Sequence, residues 1–134
     1  MPVRGLDHVA ITCLDVEATL SFYKRVLGAK TLYEDEWRAG KIPVVLLEVG
    51  ERRMSIHDAA SPAKPHANLP TPGSEDVCFR FDGPIAEAQA QLAAESVEVI
   101  EGPVPRPAAD GTLGQSVYFR DPDGNLLEFL STDG

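Results

Sequence analysis

The chain has 134 residues, 43% of them hydrophobic and 25% charged, which suffices for one domain with its own core. Aspartate and glutamate outnumber lysine and arginine by 21 to 12, giving a net charge of −9; this argues against a basic nucleic-acid face and against anionic membranes as partners. No stretch approaches the roughly 20 apolar residues of a membrane span, and "MPVRGLDHVAITC" lacks the apolar segment and cleavage site of a signal peptide, so the expected compartment is the cytoplasm.

In chain order, "LDHVAITCL" (Leu6 to Leu14) alternates as a strand, with Val9 and Ile11 on one face and His8, Ala10 and Thr12 on the other. Asp15 is placed to cap a helix with Glu17 in its first turn. Val16, Leu20, Tyr23 and Leu27 recur at helical spacing, and Gly28 is placed to end it. "KTLYEDEWRAG", "IPVVLLEVG" and "RRMSIHD" then read as three strands, with turns at Gly40 and at Gly50-Glu51. Pro62, Pro65, Pro70 and Pro72 make the next stretch a linker or surface loop.

The order then restarts. "EDVCFRF" (Glu75 to Phe81) alternates, with Val77, Phe79 and Phe81 on one face and Asp76, Cys78 and Arg80 on the other. Pro84 opens a helix whose apolar stripe is Ile85, Ala88 and Leu92. "VEVIEGP" reads as a strand, "VPRPAADGTLG" as a loop, and "QSVYFRD" and "NLLEFLS" as strands joined by a turn at Pro122-Asp123-Gly124. The two cysteines, Cys13 and Cys78, have no CxxC spacing and are expected as buried, reduced thiols.

Strand, helix and three strands therefore occur twice. The expected fold is α+β: two βαβββ modules forming a curved mixed β-sheet cup with the helices outside. Module one spans about 4–58, the Pro-rich linker about 59–73 and module two about 74–132, within one domain over 1–134.

Overlaying the halves places His8 over Asp76 on the first strands and His57 over Glu128 on the last. Alternation puts each of the four on the face opposite its apolar neighbours, so all four are expected to point into the concavity. Two imidazoles and two carboxylates converging describe a divalent metal site, and four protein ligands in octahedral geometry would leave two positions open. "DPDGN" lacks the glycine position and twelfth-residue Glu of a calcium loop, and neither GxGxxG nor a phosphate-binding P-loop is present.

"LDHVAITCLDVEATLSFYKRVLG" resembles the opening module of the vicinal oxygen chelate superfamily, and "GQSVYFRDPDGNLLEF" resembles its closing strands. This superfamily includes glyoxalase I, methylmalonyl-CoA epimerase, extradiol ring-cleaving dioxygenases, and fosfomycin and bleomycin resistance proteins. "PGSEDVCF" and "EGPVPR" are most similar to bacterial glyoxalase-like and virulence-related members. The resemblance implies paired βαβββ modules and one divalent metal ion, Zn, Ni, Mn or Fe(II), held by His8, His57, Asp76 and Glu128. Asp76 departs from the histidine that metal-using relatives carry there. The resemblance also implies a homodimer, with each cup built within one chain or across two.

The implied chemistry is chelation of two neighbouring oxygens of a small-molecule substrate, with Lewis-acid stabilisation of a developing oxyanion. Glu128 is the expected proton carrier as well as a ligand. Arg38, Arg106, Tyr118 and Arg120 are the candidates for holding an anionic substrate, and His66 is expected in solvent. Three function classes follow: a metal-dependent lyase or isomerase of the glyoxalase type; an extradiol-type dioxygenase using Fe(II) at His8, His57 and Glu128; and a metal-free small-molecule binding or resistance protein. Pocket shape falls to segments 31–43 and 102–114, which carry no recognisable substrate code.

Overall fold

The computed structural model describes residues 2–134. The chain divides into two compact units, one ending at Gly73 and the other beginning at Ser74. Each is a βαβββ module with its own four-stranded mixed sheet, so the fold is α+β.

In the first unit, β1 (His8–Cys13) is followed by α1 (Val16–Leu27), β2 (Lys30–Leu32), a short α2 (Glu34–Arg38), β3 (Val45–Val49) and β4 (Arg52–Asp58). The sheet order is β1-β4-β3-β2, with β1 and β4 parallel and the other pairs antiparallel. Asp15 caps α1 by accepting from the Ala18 N–H at 3.1 Å, and Gly28 ends it at φ 68°, a left-handed conformation that a side chain would disfavour. Register aligns Val9, Met54 and Leu47 in one row, and Ile11, Ile56 and Val45 in another. Ile11, Val45, Leu47, Met54 and Ile56 of these rows and the buried α1 residues Val16, Leu20, Tyr23 and Val26 build the core, while Val9 near the start of β1 is exposed. Val26 takes the buried place expected of Leu27, which is only half-buried.

The segment expected as one strand over 30–40 is instead the three-residue β2 followed by α2. Its second half has no alternation to bury. Glu34 and Arg38, four residues apart, pair at 2.8 Å, and three acids occupy the first turn, where the helix dipole favours them.

In the second unit, β5 (Asp76–Arg80), α3 (Ile85–Ala94), β6 (Glu101–Pro107), β7 (Leu113–Arg120) and β8 (Leu126–Ser131) follow in turn. The order is β5-β8-β7-β6, with β5 and β8 parallel. One sheet face buries Val117, Phe119, Leu127 and Phe129 on the side where α3 brings Ile85, Ala88 and Leu92. The rings of Phe119 and Phe129 lie 4.8 Å apart.

The strand expected over 97–103 lies four residues later and takes in the first four residues of the expected loop, 104–107. Its three prolines are compatible with a strand because β6 is an edge strand, hydrogen-bonded on one side only. Gly102, at φ 111°, lies against the Ser116 backbone, where an added Cβ would collide with the Ser116 carbonyl oxygen. Among the described residues no helix is long and apolar enough to cross a membrane.

Candidate functional site

The four candidate ligands divide between the units, His8 and His57 in the first and Asp76 and Glu128 in the second. Within each unit they occupy the sheet face opposite the buried apolar rows, as alternation requires. Among the described residues of either unit, no three His, Cys, Asp or Glu side chains gather at ligating distance.

His8 begins β1 and is exposed; its Nδ1–H donates to the Asp7 carboxylate at 2.8 Å. That bond fixes the tautomer and leaves Nε2 with its lone pair, the arrangement metal-binding histidines use. His57, near the end of β4, is partly buried, and its Nε2 lies 3.1 Å from the buried Ser55 hydroxyl. Burial, then the charges of His8 and His66, holds the His57 imidazole below its ordinary value. It is therefore neutral at neutral pH, with Nε2 and the Ser55 hydroxyl sharing one hydrogen bond. His66 is exposed, as expected, with Nδ1 donating to the Ala67 carbonyl at 2.8 Å.

The register revises the overlay of the two halves. His8 pairs with Arg53 and Ala10 with Ser55, while Asp76 pairs with Leu126 and Cys78 with Glu128. With His8 and Asp76 as equivalents, the counterpart of Glu128 is Ser55. His57 stands two residues further along β4, opposite Thr12. Four residues of rise, roughly 13 Å, separate the backbone positions of His8 and His57 along the strands.

In the second unit Glu128 is half-buried on β8, opposite Tyr118 of β7 and Cys78 of β5. It accepts a hydrogen bond of 2.5 Å from the Ser116 hydroxyl, a fully buried group. Cys78 is exposed rather than buried as expected, whereas Cys13 is buried and donates to the His57 carbonyl; neither forms a disulfide. Burial first, and then the carboxylates of Glu128 and Asp76, push the Cys78 thiol up to about 12. Asp76, at the start of β5, is exposed.

The four anion-binding candidates separate. Arg106 and Tyr118 meet: Nε donates to the phenol oxygen at 3.1 Å, and the guanidinium carbon lies 5.7 Å from the ring centre. Glu128 is close enough for its charge to act on Arg106. Arg120 shares the sheet face of Tyr118 but donates to the Gly124 carbonyl at 3.1 Å. Arg38 lies in the first unit and is committed elsewhere, to Glu17 through both terminal nitrogens and to Glu34 through Nε and one of them.

The Asp121–Asn125 turn, which lacks the pattern of a calcium loop, has a structural part instead. Asp121 accepts from the N–H groups of Asp123 and Asn125 and from the Asn125 amide. Asn125, almost fully buried, accepts from the Glu75 N–H at 2.9 Å and so ties the start of β5 to the β7–β8 turn. The spaced Asp and Asn are the sequence signal for this clasp.

Taken singly, the donor types suit a divalent cation: in the first unit an imidazole with one nitrogen held by a carboxylate and a neutral second imidazole, in the second unit carboxylates. A family model described as Glyoxalase/Bleomycin resistance protein/Dioxygenase superfamily matches residues 5–129. The chain is 40% identical over 131 residues to the Glyoxalase domain-containing protein RDO1 of Mycosarcoma maydis, covering 98% of this chain and 70% of that protein. It is 34% identical to virulence protein STM3117 of Salmonella typhimurium, covering 96% and 84%. The crystal structure of that virulence protein superposes with a TM-score of 0.87 at 33% identity, covering 98% of both chains. A protein from the mobile metagenome of V. Pseudocholerae superposes at 0.89 with 34% identity, covering 100% and 98%.

Proposed function

The chain belongs to the Glyoxalase/Bleomycin resistance protein/Dioxygenase superfamily, and from that premise we propose that it is a divalent-metal-dependent lyase or isomerase. Its substrate is a small molecule that presents two neighbouring oxygens. His8, Asp76 and Glu128 are the proposed ligands, with His57, two residues beyond the counterpart of Glu128 along β4, as the more distant fourth donor, and Glu128 also moves the proton. The observation that carries this reading is the setting of Glu128. It is a half-buried carboxylate on a strand, with a buried hydroxyl directed at it, and it is flanked by the Arg106–Tyr118 pair.

A divalent ion supplies a Lewis acid for the oxyanion that develops when a proton leaves carbon. The chain's own groups do the rest. Glu128 takes the proton and returns it, and Arg106 with Tyr118 offers a cation and a phenol to an anionic or carbonyl end of the substrate. His8 is supported as a ligand by the Asp7 contact, which leaves Nε2 open. His57 would offer a metal its Nδ1 where Nε2–H donates to Ser55, or its Nε2 after giving up Ser55.

The test is metal binding. Stripped, tag-free protein is titrated with Zn, Ni, Mn and anaerobic Fe(II), beside His8→Ala and Glu128→Ala. Stoichiometric binding lost in both variants supports the reading. Preference for Ni or Zn then directs assays to isomerisation, and preference for Fe(II) to ring cleavage. Absence of binding in the wild type would overturn the metal-dependent reading in favour of a metal-free ligand site.

A further inference from the structure

Ser116 is an unusual residue for its place. It sits mid-strand on β7, fully buried, with Val104 of β6 and Leu130 of β8 as its paired neighbours. A buried hydroxyl left without a partner costs about 1–3 kcal/mol, and here the partner lies diagonally across the β7–β8 pair, the Oε2 atom of Glu128. An O–H bond to an ionised oxygen is the short, strong kind.

Glu128 needs such a bond. A glutamate side chain has three rotatable bonds, the last of them soft. Its direct neighbours hold it less directly. Tyr118, opposite on β7, has its oxygen placed at Arg106, from which it accepts. Cys78, opposite on β5, offers only a weak thiol donor.

We infer that Ser116 is the positioning residue for Glu128: its hydroxyl sets the direction in which the carboxylate is presented, so that metal ligation and proton transfer do not first have to order it. The inference rests on Glu128 having the double role proposed above, but the hydrogen bond itself is a property of the metal-free chain. Ser116→Ala removes the hydroxyl with little change of volume, and Ser116→Thr retains it.

The test has two readouts on wild type and both variants. The first is the order of the Glu128 side chain in the metal-free protein, by crystal structure and by side-chain relaxation in solution. Ser116→Ala is expected to release the carboxylate into several positions while the melting temperature stays near that of wild type; Ser116→Thr is expected to keep one. The second is affinity for the preferred metal, expected to fall on the order of tenfold in Ser116→Ala and to recover in Ser116→Thr. A Glu128 carboxylate that remains fixed in Ser116→Ala overturns the inference, and so does a Ser116→Ala affinity equal to that of a metal-binding wild type. If the wild type binds no metal, the function proposed above falls, and the first readout alone still decides whether Ser116 positions Glu128.

Discussion

Cys78 faces Glu128 across the parallel β5–β8 pair, and the thiol is kept protonated, pushed up to about 12 by burial and then by the carboxylate. At pH 8 that leaves roughly one thiolate in ten thousand. Alkylation by iodoacetamide is therefore expected to be slow although the residue is exposed, and to accelerate with pH up to that value. Glu128→Gln removes the neighbouring charge, makes the thiol a stronger acid and so enlarges the thiolate fraction. The rate at pH 8 is expected to rise several-fold, up to about tenfold. Mass spectrometry separates this site from Cys13, which is fully buried. Equal rates in the two proteins would mean that Glu128 does not set the thiol and that burial and Asp76 do.

The parts of the fold legible in the sequence are those with a local cause. Asp15 and Gly28 bound α1 because capping and left-handed backbone are properties of single residues. The strands alternate because one face of each is buried. What is not legible depends on partners elsewhere in the chain. The α2 helix is held by pairings of Glu34 and Arg38 with Glu17 and Lys24 of α1, which no local pattern announces. The β6 strand carries prolines that exclude a central position and say nothing against an edge. The candidate site shows the same limit. Alternation correctly puts Ser55 and His57 on one face, but two positions of the same face differ by a register that only strand pairing fixes. That is why the sequence overlay matches His57, and not Ser55, to Glu128.

The α1–α2 contact makes a pH prediction. Arg38 beside Glu34, with help from Thr31 and Lys24, holds the Glu34 carboxyl down at about 2, from an ordinary 4.5. A depressed carboxylate contributes stability that is present above pH 4.5 and is lost as pH falls toward 2. The pairs lie largely at the surface, where each is worth at most about 1 kcal/mol, so the expected effect is local. Trp37 is the only tryptophan and lies 5.3 Å from the Arg38 guanidinium carbon, which makes its fluorescence the reporter. Its emission is expected to change between pH 4.5 and 2 in the wild type. In Glu34→Gln that change should be flattened, with the difference already present at pH 7. A titration identical in both proteins would show that Glu34 does not hold α2.

Asn125 tests the clasp that sets β5 beside the turn before β8. Its side chain accepts from the Glu75 N–H and donates to Asp121, and it is about 1% exposed. Asn125→Ala takes the acceptor from the Glu75 N–H and one of several donors from the Asp121 carboxylate, so a loss of about 1–3 kcal/mol is expected in urea unfolding. Asn125→Asp keeps the shape and the acceptor for Glu75, but it sets a second carboxylate where an amide donated to Asp121 at 2.8 Å. Two carboxylates at that distance cannot both ionise cheaply. The Asp variant is therefore expected to be destabilised more at pH 7 than at pH 4, where one proton can be shared. The Ala variant should show no such additional dependence. Because β5 carries Asp76 and Cys78 and β8 carries Glu128, a loosened clasp should also increase the alkylation rate of Cys78. A stable Asn125→Ala protein with unchanged Cys78 reactivity would mean that the parallel β5–β8 ladder holds this face without the turn.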